Sequence, residues 1–272
     1  MTLYSVSVLL LLLAASQAQA KPVPETEEED LQQADNVDIS EMILASNNKS
    51  ADFLLEGDLL PPKNRNAMKC RYNSCLWPKG SDGLVSIPYT ISNEFSHHET
   101  QVITSALSDF HTKTCIRFVP HQNNNDYISI ENQRGCFSSL GRQGGRQVLS
   151  LNKWGCVHHG IVQHEFNHAL GFQHEQTRSD RDQYVDINWN NMDQSMAYNF
   201  QQYDTNNLNT PYDYGSIMHY GRTAFSINGR DTITPKKRVQ IGQRQALSSW
   251  DIKRINMLYS CEGSESVSVC KN

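Results

Sequence analysis

The stretch His164-Glu-Phe-Asn-His168-Ala-Leu-Gly171-Phe-Gln-His174 constrains this chain more than any other. On an α-helix His164 and His168 are four residues apart, so their imidazoles stand one above the other on one face. Two neutral imidazoles so placed can bind one Zn²⁺ at about 2.0–2.1 Å each. Glu165 is one residue round from His164, which sets its carboxylate beside the metal, where it can hold a water. Gly171 comes three residues after His168, where a left-handed residue ends a helix at little cost. The chain can then turn and bring His174 back as a third ligand. Three protein ligands leave one coordination position open, the arrangement of a catalytic zinc rather than a structural one.

Downstream, Ser216-Ile-Met218-His-Tyr220 supplies the Met-turn that accompanies such a motif in the metzincin signature. The run from His164 to Asp182, the Ser216–Tyr220 segment and the cysteine spacing resemble the astacin family of zinc endopeptidases. Among its members the six-cysteine astacins of fish, the hatching (choriolytic) enzymes included, are most similar. Cys115-Ile-Arg-Phe, Asp204-Thr-Asn-Asn, Thr210-Pro-Tyr-Asp-Tyr and Asp231-Thr-Ile-Thr-Pro extend the likeness, which covers Asn66 to Cys261. The resemblance implies an α+β metzincin domain. A twisted mixed sheet and the zinc helix fill its N-terminal half, an irregular C-terminal half ends in a helix, and the active-site cleft lies between. It further implies that Glu165 is the general base and that Met218 is an apolar floor under the imidazoles. Tyr220 is implied as a fifth zinc ligand that swings away to hydrogen-bond the tetrahedral intermediate, an oxyanion-type role.

Residues 1–20 have an apolar run from Val6 to Ala15 and end Ala18-Gln-Ala20, an A-x-A cleavage site. A run of ten residues is too short to span a bilayer, so a secretory signal peptide is expected, with no membrane attachment after its removal. Residues 21–65 hold 11 acidic and 4 basic residues, a net charge of −7, whereas the rest is +2 (18 acidic, 20 basic). The run Glu25–Asp30 reads as solvated and loosely ordered, and Asn48-Lys-Ser is a glycosylation sequon. The near-neutral remainder has no basic patch suited to nucleic acid.

Taken alone, Gly57-Asp58 is a turn dipeptide. Astacin proenzymes, however, carry a Phe-x-Gly-Asp element whose aspartate ligates the zinc in place of water. Gly57-Asp58 matches it, while Phe53 stands further upstream than that pattern has it, so Asp58 alone is carried over as a proenzyme ligand. Pro61-Pro-Lys-Asn-Arg65 then offers an exposed basic site to a trypsin-like activator. Domains are therefore expected at 1–20 (signal), 21–65 (propeptide) and 66–272 (catalytic, its core ending at Cys261). The resemblance also implies that Glu175 meets the new N-terminus, Asn66, inside the domain. Because a buried carboxylate needs a cationic partner, the ammonium of Asn66 is the expected one.

Seven cysteines in a secreted chain read as disulfides rather than thiolate ligands, and sequence leaves their pairing open. The resemblance implies Cys115–Cys261, Cys136–Cys156 and Cys70–Cys75, leaving Cys270 as a free thiol or an intermolecular link. Periodicity places a helix over Thr100–Phe110 and strands at Ile116–Val119, Tyr127–Glu131 and Gln147–Leu151. The zinc helix is expected over Gly160–Gln173, and Ser248-Ser-Trp-Asp251 is a capping-box start for a last helix. In metzincins the strand after a loop such as Gly141–Gly145 is an exposed edge above the zinc. Gln147–Leu151 is therefore the expected site where an extended substrate adds as an antiparallel strand. His97, His98, His111, His121, His158 and His159 read as surface or packing residues. The function expected is that of a monomeric, secreted zinc endopeptidase, stored in granules or released directly. Its substrates would be extracellular proteins, egg-envelope proteins among them. The alternatives are an astacin with another matrix substrate and an inactive binding protein on the same fold.

Overall fold

The computed structural model describes residues 38–48, 53–61, 74–243 and 245–261. Residues 1–20, the run Glu25–Asp30, Arg65, Asn66, Cys70 and Cys270 lie outside them. Among the described residues no helix is long and apolar enough to cross a membrane.

In chain order the elements are α1 (Ile39–Asn47), β1 (Leu59–Leu60), β2 (Val85–Ile91), α2 (His97–Lys113), β3 (Ile116–Pro120), β4 (Tyr127–Glu131), β5 (Cys136–Ser139), β6 (Arg146–Leu151), α3 (His159–Leu170), β7 (Val185–Ile187), β8 (Ile233–Pro235) and α4 (Ser249–Leu258). The first six strands form one mixed sheet in the order β1-β5-β6-β4-β2-β3, and β7 and β8 form a second, antiparallel pair. Within the large sheet β3, β2, β4 and β6 run parallel, β5 runs antiparallel to β6, and β1 joins β5 in parallel.

This order corrects one expectation. Gln147–Leu151 is interior, paired with β4 on one side and with Cys136–Phe137 on the other. Beyond it lies β5, whose four residues are all buried and so show no alternation by which to recognise a strand. Its outer side carries Leu59–Leu60 of the N-terminal segment, in register with Ser138–Ser139.

The zinc helix α3 has no side-chain cap at its N-terminus, yet every residue from Gly160 to Leu170 is buried. Burying Ile161, Val162, Phe166 and Leu170 contributes about 1.5–3 kcal/mol each. That outweighs a missing cap, worth about 1 kcal/mol. The helix stops at Leu170, three residues before the expected end, because Gly171 turns left-handed at φ +107° and donates back to Asn167 and His168. A Cβ there would meet Leu76 at an ordinary 3.7 Å, so the dihedral rather than crowding calls for glycine. Helix α2 begins at a full capping box, Ser96 with Glu99, and buries Ile103, Ala106, Leu107 and Phe110. Helix α4 begins at the box formed by Ser248 and Asp251.

Ile87, Phe110, Ile128, Leu149 and Phe166 belong to one apolar core, between the sheet and helices α2 and α3. A second cluster, with Val185, Phe200, Tyr212, Tyr220 and Ile233, lies in the C-terminal half, where short 3₁₀ turns replace regular elements. Disulfides join Cys115 to Cys261 and Cys136 to Cys156. Cys75 is also disulfide-bonded, to a residue outside those described.

Candidate metal centre

Helix α3 projects His164 and His168 from one face, and the turn after Gly171 brings His174 opposite them. Asp58 completes a four-residue group whose ligand atoms all lie within 4.8 Å of one another. Asp58 carboxylate oxygens stand 3.1 Å from His164 Nε2, 3.3 Å from His168 Nε2 and 3.2 Å from His174 Nε2. His164 Nε2 and His174 Nε2 are 3.2 Å apart. A tetrahedral zinc with bonds of about 2.0–2.1 Å sets its ligand atoms about 3.3–3.4 Å apart, so the residues fit that ion. The donor chemistry agrees: three imidazole nitrogens and a carboxylate oxygen, all buried, with His168 Nε2 and Asp58 Oδ1 left without a hydrogen-bond partner.

Each ring is turned by a bond at its other nitrogen. His164 Nδ1 donates to the Ile217 carbonyl at 2.8 Å, and His168 Nδ1 to the Phe172 carbonyl at 2.7 Å. Those bonds fix the tautomer and leave Nε2 with its lone pair toward the ion. The turn that ends the helix thus also braces its second ligand. His174 Nδ1 donates instead to the side chain of Glu56, at 2.7 Å. The Met-turn is held by Asp251, which accepts from Ser216 Oγ at 2.6 Å and from Ile217 N at 2.9 Å. Met218 lies buried in the first core, and its carbonyl accepts the Glu175 N–H at 3.0 Å. The capping box signalled Asp251 as a helix start; nothing in the sequence signalled that it also ties that helix to the Met-turn.

Besides Asp58, two groups of Glu56 engage the centre and the Asn47 side chain engages β5, and sequence reasoning missed them. Glu56, fully buried, reaches His174. Its carbonyl accepts the hydroxyl of Tyr220, which is buried beside the His174 ring. The Asn47 side chain pairs with both the N–H and the carbonyl of Cys136, at 2.7 Å each, as a neighbouring strand would. A glutamate next to Gly57-Asp58 was the available clue to Glu56; no sequence pattern points to Asn47. Phe53 is exposed and stacks on Tyr198, away from the ligands.

The electrostatics are those of a cation site. Asp58 is held well below its ordinary range: burial opposes this, but His174 and His168 outweigh it. Burial pushes His164 down to about 4, whereas at His174 the Asp58 and Glu56 carboxylates overcome burial and raise it to about 9. Glu165 is fully buried with both oxygens free of hydrogen bonds, and burial, then the nearby Asp58 charge, pushes it well above the usual carboxylate range.

Glu175 is buried. It has cationic partners before any cleavage. Arg254 of α4 clamps it with bonds of 2.6 and 3.0 Å, Arg178 adds one at 3.2 Å, and Asp213 N–H another at 2.7 Å. The charge that Asn66 was expected to balance already has its guanidinium partners. Of the remaining histidines, His219 is buried between the Tyr212 hydroxyl and the Tyr220 carbonyl, and His111 accepts from the Phe118 N–H. His159 lies beside Asp109. None of them joins the metal group.

The astacin peptidase family model matches residues 71–260. High choriolytic enzyme 1 of Oryzias latipes is 61% identical over 230 residues, 84% of this chain and 85% of that protein. The low choriolytic enzyme of the same fish is 49% identical over 240 residues, 87% of this chain and 89% of that protein. The solved structure of high choriolytic enzyme 1, described as a hatching enzyme zinc-protease, superposes with a TM-score of 0.70 at 62% identity. It covers 72% of this chain and all of the other.

Proposed function

The chain belongs to the astacin family of zinc metalloendopeptidases, and on that premise we propose that it is made as a secreted, latent proenzyme. In this reading residues 1–20 are the signal peptide, 21–65 the propeptide and 66–272 the catalytic domain. The observation that carries latency is Asp58, whose carboxylate stands within 3.1–3.3 Å of all three ligand nitrogens, at the corner a water would need. Strand β1 adds to this by covering the edge of β5. Its parallel direction is the reverse of the antiparallel strand that a substrate forms. Peptide bonds of the segment are therefore presented with the wrong polarity. Cleavage after Arg65 by a trypsin-like protease would release these contacts. The new ammonium of Asn66 would then join, through water, a Glu175 already balanced by Arg254 and Arg178, adding order rather than neutralising charge.

When bound, zinc supplies a Lewis acid for the scissile carbonyl and acidifies a water. Glu165, next to the first ligand, takes the proton as the water attacks and passes it to the leaving amine nitrogen. Tyr220, freed from the Glu56 carbonyl, returns to the centre, where its hydroxyl donates to the developing oxyanion. The substrate lies along the vacated edge of β5. The choriolytic relatives favour egg-envelope proteins as that substrate, with the enzyme acting as a secreted monomer.

The test is to incubate isolated fish egg envelopes with the intact proenzyme and with the same protein trimmed by trypsin. Soluble peptides should appear with the trimmed form alone. Undamaged envelopes beside a digested general matrix protein would replace the hatching role with another tissue role.

A further inference from the structure

We propose that Glu56 is a positioning residue for zinc, bracing the third ligand so that the metal leaves the proenzyme more slowly than it would without that carboxylate. This rests on the reading above, that His164, His168 and His174 hold zinc and that residues 21–65 are later removed. The asymmetry among the three rings carries it. His164 and His168 are oriented by main-chain carbonyls of the catalytic domain, which every form of the protein keeps. Among the described residues, the acceptor at His174 Nδ1 is a side chain of the segment that leaves. A carboxylate acceptor makes a charge-assisted bond, stronger than one to a neutral carbonyl. The same oxygen also accepts the His174 backbone N–H at 3.2 Å, so one group fixes both ring and main chain.

Glu56 is placed there at a cost. Its φ is +48°, in the left-handed region where a residue with a Cβ is strained. Its side chain is 1% exposed, and a buried carboxylate is unfavourable without a partner. A segment that had only to cover the cleft could place glycine or alanine at this position and bury no charge. The close contacts that offset both penalties are at His174, with Thr177 Oγ1 at 3.5 Å and the Tyr203 side chain also facing the carboxylate. Glu56 and Asp58 therefore act on one ion from two sides. Asp58 fills a coordination position, and Glu56 fixes the ligand that arrives last in the sequence, beyond the end of the helix. Both contacts leave with the segment at maturation.

The experiment measures zinc release from the full-length proenzyme, kept intact by Arg65→Ala, into an excess of a chromogenic chelator. Glu56→Ala should release zinc about 10–100-fold faster than the parent, the range typical for loss of an outer partner of a ligand histidine. Glu56→Gln keeps a neutral acceptor oxygen and should fall between them, which a general loosening of the fold would not produce. It also carries the test if the alanine variant fails to fold. After tryptic maturation of the Arg65-containing forms, parent and Glu56→Ala should release zinc at the same rate, since the residue is gone. Unchanged release in both Glu56 variants, with faster release in Asp58→Ala, would overturn the role of Glu56 and leave Asp58 as a ligand. Unchanged release in Asp58→Ala as well would overturn the coordination on which both rest.

Discussion

Before Gly171 the chain folds as regular helices and strands over a large apolar core, which the Met-turn and α4 later rejoin; most of the chain after it forms short 3₁₀ turns and a two-stranded sheet around a much smaller cluster. The second region is held together internally by buried polar bonds. Arg254, on the last helix, spans Glu175, Thr210 and Pro211, and Asp251 of the same helix holds Ser216 and Ile217 of the Met-turn. The cysteine that follows the helix returns to β3 through Cys115–Cys261. The two regions thus contribute to the metal centre in different ways. The first supplies two ligands from a rigid, packed helix. The second supplies the third ligand, Tyr220 and the Met-turn, placed by hydrogen bonds that depend on a few charged side chains.

Breaking one of those side chains tests the comparison most severely. Arg254→Met leaves Glu175 buried with the weaker Arg178 ion pair and the Asp213 N–H, and removing one partner of a buried pair costs about 3–5 kcal/mol. A urea titration should show that loss, and because Glu175 adjoins His174, zinc should also leave faster. Phe110→Ala opens a cavity in the first core at a similar cost of about 3–5 kcal/mol. It lies away from the ligands, so zinc release measured under native conditions should stay as in the parent. Equal zinc behaviour in the two variants would erase the distinction between the regions. At the small end, Ser96→Ala removes the cap of α2 and should cost about 0.5–2 kcal/mol. Activity should not change, and a thermal melt beside a peptidase assay checks both.

The same division explains what the sequence discloses. Ile103, Ala106, Leu107 and Phe110 recur at helical spacing because α2 buries one stripe, so that helix is legible. The alternating or apolar runs of β3, β4 and β6 are legible for the same reason, and His164 and His168 are visible because the helix repeat puts them together. Strand β2 is hidden by Pro88. That residue lacks an N–H, and is tolerated because pairing with β4 begins only at Tyr89. Strand β5 is hidden by its uniform burial, and its absence from the reading made β6 look like the edge. In the polar region no periodicity exists to read. Arg254 and Glu175 are 79 residues apart, and Asn47 and Cys136 are 89 apart; neither pair leaves a local trace. Resemblance to a family could direct attention to Asp58 and Glu175. It could not disclose that Glu175 already has guanidinium partners or that Glu56 reaches the third ligand.

The central claim is that this centre hydrolyses peptide bonds with Glu165 as its base. The direct measurement compares trypsin-matured wild type with matured Glu165→Gln for zinc content and for turnover of a quenched fluorescent peptide. Both should carry one zinc per chain, the wild type should lose turnover to a chelator and regain it with Zn²⁺, and Glu165→Gln should lose nearly all of it. Wild-type turnover in zinc-loaded Glu165→Gln would contradict the account.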